Sequence, residues 1–247
     1  MLNTRRQGQV AILTIDRSNR RNALGSELMR ALETALVELK DDSGAGAIVL
    51  SGTAPGFCAG SDLKELAAMT IPQMCRYEAE SARIARFVGF IEKPVVAAVS
   101  GFALGGGIGL AAACDLIVTH AECRWHMPEV PIGWLPPWGL EAISQRVGPV
   151  AARRLIWASE PITGAEAHAL KLADYLVPQD EVEYEAIALG ERLAALPRVA
   201  VASTKRFFAP LINGRAEASD MLANRIFAEN CQDEASKTTL RKFGMRV

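Results

Sequence analysis

Apolar positions recur along this chain with two different periods. From Ser26 to Lys40, the residues Leu28, Ala31, Leu32, Ala35, Leu36 and Leu39 fall three and four apart, which lines one face of a helix. Ile71–Ile91 places Ile84, Phe87, Val88 and Ile91 in the same way and predicts a second long helix. By contrast, AIVLSG at Ala47–Gly52 is a short continuous apolar run, as expected of a strand covered on both faces. Val10–Asp16 alternates loosely and predicts a strand, and Val95–Val99 and Leu116–Thr119 predict two more. Strands alternating with helices indicate an α/β fold.

Beyond about Gly139 the pattern turns helical, near Leu140–Val147, Val150–Ala158, Ala165–Leu172, Glu181–Ala195 and Ala216–Asn230. Thr163 followed by Glu166 has the spacing of a capping box that opens one of these helices. Only Tyr175–Val177 there reads as a strand. The expected organisation is an α/β core over residues 1–195 and a helical region over 196–247, with no linker between them.

Composition narrows the classes. Half of the 247 residues are apolar and 22% are charged, which is globular rather than disordered. Lys plus Arg is 27 and Asp plus Glu 28, a net charge of −1, so no nucleic-acid partner is expected. The five cysteines are scattered without zinc spacing, and there are only three histidines, so neither a disulfide scaffold nor a metal is expected. The apolar run after Arg5 and Arg6 ends at Asp16, too short for a signal peptide, and a reducing, cytoplasmic compartment follows as the expectation. Pro94–Cys114 is uncharged and contains Gly101, Gly105 and Gly109 in tandem GxxxG spacing. Three consecutive glycines in its middle argue against a membrane helix and for strand, loop, short helix.

Three segments carry candidate chemistry. Pro55–Leu63 is a glycine-containing turn after a buried strand, free to donate backbone N–H groups or simply to cap a helix through Ser61 or Asp62. Gly101–Gly109 ends a strand and opens a helix, so it presents unpaired N–H groups and a positive dipole end that suit an anion. It is neither a Walker loop nor a dinucleotide fingerprint. Trp125–Gly139 is stiff and aromatic, and Glu129 is the only charge between His126 and Gly139. A dry pocket there would raise the pKa of Glu129, as acid/base work requires, whereas a solvated loop would not.

Together these segments resemble the crotonase, or enoyl-CoA hydratase/isomerase, superfamily. The resemblance runs through RSNRRNALGSELM, FCAGSDLKEL, KPVVAAVSGFALGGG, MPEVPIG and ITGAEAHALKLADYLVP, in that order. It implies a spiral of ββα turns with a helical C-terminal region that builds trimers, often paired into hexamers. It implies oxyanion-hole N–H groups at Ser61 and Gly106 that hold an acyl-CoA thioester carbonyl, with Glu129 as acid/base. Segments Arg20–Leu24 and Ala59–Leu63 resemble the lining of a CoA pocket, with Arg20, Arg21, Ala23, Ala59, Gly60, Asp62 and Leu63 as its contacts. Coenzyme A is then part of the substrate, and no separate cofactor is implied.

The sequence departs from the family at a position that bears on the reaction. Its hydratases place a first glutamate three residues beyond the middle glycine, where this chain has Gly109. A single carboxylate suits double-bond isomerisation or a related one-glutamate reaction. The alternatives are hydration or a hydratase-lyase reaction by Glu129 alone, and a non-catalytic acyl-CoA binder. The C-terminus reads SKTTLRKFGMRV, without the EKR-like ending of many hydratases. Trp134, Trp138 and Phe57 suggest a pocket for an aromatic or branched acyl group.

Overall fold

The computed structural model describes residues 1–158 and 160–244. Its strands are β1 (Leu2–Gln7), β2 (Val10–Ile15), β3 (Ala47–Gly52), β4 (Val95–Val99), β5 (Phe102–Leu104), β6 (Leu116–Thr119), β7 (Arg124–His126), β8 (Ile162–Thr163) and β9 (Tyr175–Leu176). Its helices are α1 (Ser26–Asp41), α2 (Leu63–Leu66), α3 (Ile71–Phe90), α4 (Gly106–Ala112), α5 (Leu140–Val147), α6 (Pro149–Ala158), α7 (Gly164–Ala169), α8 (Val182–Ala194), α9 (Arg198–Asn213), α10 (Ala216–Asn230) and α11 (Glu234–Lys242).

Six strands form one sheet in the order β1-β2-β3-β4-β6-β9, and β5-β7-β8 form a second. In the large sheet only the β1–β2 pair is antiparallel. Alternation along the central strands sorts their side chains into two layers. Leu13, Ile48, Leu50, Ala97 and Val99 face the core beneath α1 and α3. Val10, Ile12, Val49, Val96 and Ala98 face Val182, Ala186 and Leu189 of α8. Both faces are covered, which is why these strands read as continuous apolar runs.

The connectivity winds as a spiral of ββα turns. β4 in the large sheet is followed by β5 in the small sheet and then α4. β6, β7 and α5 repeat the turn. After β3, Cys58 bridges to Ala103 of β5 and adds a fourth, single-residue rung to the small sheet before α2 and α3. The uncharged stretch from Pro94 is thus divided among β4, β5 and the seven-residue α4. Among the described residues no helix is long and apolar enough to cross a membrane.

The polar β1 has no buried apolar face and is not legible as a strand. It is pinned to β2 through a turn at Gly8, whose φ is +54°. In the helical C-terminal region, α9 and α11 escape the periodicity. α9 exposes Val199, Phe207, Phe208 and Leu211 and contains Pro210. α10 packs along α3, and α11 reaches α2. The Thr163–Glu166 capping box forms as the sequence predicts. The SKTTLRKFGMRV ending is described through Gly244, and its last three residues lie outside the described residues.

Candidate active site

Segment Arg20–Leu24 and segment Gly60–Asp62 meet as a parallel bridge between Leu24 and Ser61. The Leu24 amide donates to Gly60 O at 2.8 Å and the Asp62 amide to Leu24 O at 3.1 Å. In this pairing the Ser61 amide points away from Leu24 and is left for another acceptor. Gly60, at φ +83°, lies against the glycine loop, where a Cβ would meet Leu104 O at 2.8 Å. A Cβ added at Gly60 would lie 3.1 Å from the Gly106 nitrogen, so the two segments touch. Gly106 is the first residue of α4, and its N–H has no acceptor within the helix. Two backbone donors from separate ββα turns therefore converge.

Glu129 stands directly over this junction. A Cβ at Gly105 would fall 2.5 Å from Glu129 Oε1, so the glycine (φ +52°) makes the space that the carboxylate occupies. Glu129 Oε2 is buried and has no hydrogen-bond partner. Burial, with a further contribution from the charge of Glu78, pushes the Glu129 pKa up to about 8. The solvated-loop alternative is thereby excluded for its carboxyl group, although the residue as a whole is partly exposed.

Trp138 fills the space beside Gly109. A Cβ at Gly109 would be 2.8 Å from Trp138 Cζ3, and one at Gly106 would be 2.9 Å from Cζ2. The indole covers the face of α4 that a side chain at position 109 would use. Its Nε1 donates to Glu78 Oε2 at 2.7 Å. The Ser61 side chain also hydrogen-bonds Glu78. Burial raises the Glu78 pKa to about 7, and the bonds from Ser61 and Trp138 oppose that rise. The neighbouring Tyr77 donates its hydroxyl to Leu24 O, which docks α3 on the Leu24–Ser61 bridge.

Sequence reasoning missed Glu78. The signal was present: Met74, Tyr77, Glu78, Ser81, Ala82 and Ala85 form the buried face of α3, and a carboxylate on such a face is rarely idle. Trp134 packs against Phe227 with ring centroids 5.6 Å apart, and Phe57 lies in the core. Of the three aromatics expected to wall an acyl pocket, Trp138 is the one that abuts the glycine loop.

The proposed CoA-side residues divide by environment. Arg20 and Arg21 are exposed, and Arg21 sits 4.6 Å above the Phe102 ring. Ala59, Ser61 and Leu63 are partly buried, whereas Ala23 and Gly60 are buried. Asp62 caps α2 through the Lys64 and Glu65 amides and pairs with Arg17 at 2.8 Å, so its carboxylate is engaged within the protein. Buried Asn22 donates to Thr53 O and Gly56 O, each at 2.7 Å, and ties the Arg20–Leu24 segment to the turn after β3. Among the described residues, no three His, Cys, Asp or Glu side chains converge as a metal site.

C-terminal helices hold the Glu129 loop. The Gly139 amide donates to Asp220 of α10 at 3.1 Å, and the Leu135 amide to Asn230 at 2.9 Å. From α11, Ser236 donates to Gly133 O at 2.8 Å and Thr239 to Ile132 O at 3.1 Å.

Comparison with known proteins agrees with this architecture. The family profile for enoyl-CoA hydratase/isomerase matches residues 5–245. A Mycobacterium bovis protein named "Probable enoyl-CoA hydratase" is 31% identical, with 96% of this chain and 93% of that protein aligned. The short-chain-enoyl-CoA hydratase of Clostridium acetobutylicum is 32% identical over 81% of this chain and 78% of its own length. A crystal structure of an enoyl-CoA hydratase/isomerase from Mycobacterium paratuberculosis superposes with a TM-score of 0.89 at 26% identity, covering 98% of this chain and 97% of that one. With its ββα spiral and a family match across nearly its whole length, the chain belongs to the enoyl-CoA hydratase/isomerase family of the crotonase superfamily.

Proposed function

We propose that this protein processes acyl-CoA thioesters through an enolate, with Glu129 moving the proton at the carbon next to the carbonyl. The observation that carries this reading is the placement of the Glu129 carboxyl over Gly105, beside the unpaired Ser61 and Gly106 amides. Donors fixed before the reaction stabilise charge that develops on the thioester oxygen, and losing one typically costs about 100-fold or more in rate. A buried carboxyl with a pKa near 8 exchanges protons readily in either direction at neutral pH.

Isomerisation of a 3-enoyl-CoA to a 2-enoyl-CoA needs only this equipment. Glu129 removes a proton at C2, and the same group returns it at C4. Hydration is the second reading, favoured by one observation: a second buried carboxylate, Glu78, bonds to Ser61. Arg20 and Arg21 are proposed to meet the CoA phosphates through charge-assisted hydrogen bonds. Assays with 3-enoyl-CoA and 2-enoyl-CoA test the proposal. The Glu129→Gln variant should lose at least about 100-fold in turnover. Full activity of that variant would overturn the mechanism, and CoA-thioester binding without turnover by the unaltered protein would leave a binder.

Assembly into trimers is proposed as well. α9 and α10 expose Val199, Phe207, Leu211 and Met221, apolar surface that a monomer would leave in water. A solution mass near three times 26.6 kDa is the expected result, and a monomeric mass at micromolar concentration would refute it.

A further inference from the structure

We propose that Glu78 is the second acid/base carboxylate of this site, brought in from helix α3 to do what residue 109 cannot, and that the site therefore adds water to 2-enoyl-CoA thioesters. The inference rests on the enolate reading and names a reaction for it.

Three observations converge on Glu78. It is 1% exposed, so an ionised form persists only with dedicated partners. Its partners are Trp138, whose ring covers Gly109, and Ser61, whose amide is one of the two converging donors. Its charge also reaches Glu129, whose Oε2 remains without a partner. A side chain at position 109 is excluded by the indole, and the same indole hands its N–H to a carboxylate on the adjoining helix. The acidic function has moved from α4 to α3. Other ionisable groups that feel Glu78 are Tyr77, Cys75 and Cys231, all of which are held more strongly protonated by burial and by its charge. Glu129 is thus the neighbouring carboxylate with which it can share a proton.

Two buried carboxyls whose charges oppose one another do not readily ionise together, so the proposed resting state carries one proton on the pair. The balanced step uses that state. The Glu78 carboxylate takes a proton from water as the oxygen bonds to C3. The C3=C2 electrons pass into the thioester enolate held by the Ser61 and Gly106 amides. The Glu129 acid then gives its proton to C2. The product is a 3-hydroxyacyl-CoA, with the proton now on Glu78 and the charge on Glu129. Proton exchange with solvent restores the starting state.

The test compares two reactions of the full-length protein. Exchange of C2 hydrogens of butyryl-CoA in D2O reads Glu129 and the oxyanion donors, and hydration of crotonyl-CoA reads the pair. Glu78→Gln keeps an acceptor for the indole but cannot take up a proton. It should depress hydration at least about 100-fold more than it depresses exchange. Glu78→Asp should recover part of the hydration. Parallel loss of both reactions in Glu78→Gln would reduce Glu78 to an anchor and overturn the proposal, as would hydration that survives the substitution. Exchange without hydration by the unaltered protein would sink the Glu78 role and leave the enolate reading standing. Absence of both reactions from the unaltered protein would sink the enolate reading itself.

Discussion

The six-membered ring of Trp138 lies so close to Gly109 that a Cβ there would approach its Cζ3 to 2.8 Å. Glycine at 109 and tryptophan at 138 are therefore one structural decision. The indole stays because helix α4 gives it a flat face, and the helix stays unsubstituted because the indole is there.

Restoring glutamate at position 109 alone should damage the protein. Gly109→Glu drives a side chain into a buried ring, and overpacking of this kind costs roughly 1–3 kcal/mol. Trp138→Ala opens a cavity and is destabilising by itself. The double variant should be more stable than the sum of the two losses, because each relieves the other. Denaturant melts of all four proteins give the coupling energy, and simple additivity would refute the steric account.

Gly105→Ala should uncouple chemistry from folding. The new methyl group would occupy the place of Glu129 Oε1, and φ at +52° strains any L side chain. The strain costs about 1–3 kcal/mol, whereas displacement of the carboxylate should lower kcat by 100-fold or more. Kinetics on protein shown folded by circular dichroism check this. Unchanged kcat would place the reacting carboxylate elsewhere.

Stability should fall as pH rises through the neutral range. Glu78 and Glu129 have folded pKa values near 7 and 8, well above those of exposed glutamates. Their contribution is fully present below the unfolded value of about 4.3 and is lost as pH climbs through 7 and 8. Glu129→Gln removes that penalty. Its Tm should exceed that of the parent by several degrees at pH 9, and the gap should shrink toward pH 5. A gap that is constant with pH would mean that Glu129 is not held protonated.

Replacing both Arg20 and Arg21 with alanine should weaken recognition of the nucleotide end of the substrate. KM for acyl-CoA should rise several-fold while kcat holds, since the interaction is the same in ground and transition states. A pantetheine thioester, which lacks the adenosine phosphates, should show no such rise. An equal rise for both substrates would move the phosphate contact elsewhere.

Much of the site was legible because it is built from backbone. Gly60, Gly105 and Gly106 announce a close approach of chain to chain, and no side chain is needed to see it. Glu129 stood out as a lone charge in an aromatic loop. Glu78 did not, because a charged residue in a long helix reads as solvated until Trp138 and Ser61, distant in sequence, pack against it. The strands β2, β3 and β4 were visible from their apolar runs, whereas β1 is defined only by its neighbour. Likewise α9 carries its apolar residues outward, so periodicity had no core to point to.

The bonds from Asn230, Asp220, Ser236 and Thr239 to the loop that bears Glu129 give the tail of the chain a hold on the proposed acid/base group. The carboxylate is positioned by residues about a hundred places further along the sequence. The proposed site is therefore complete only when the last helices have docked. Release of those helices would free the Glu129 loop from its four anchors.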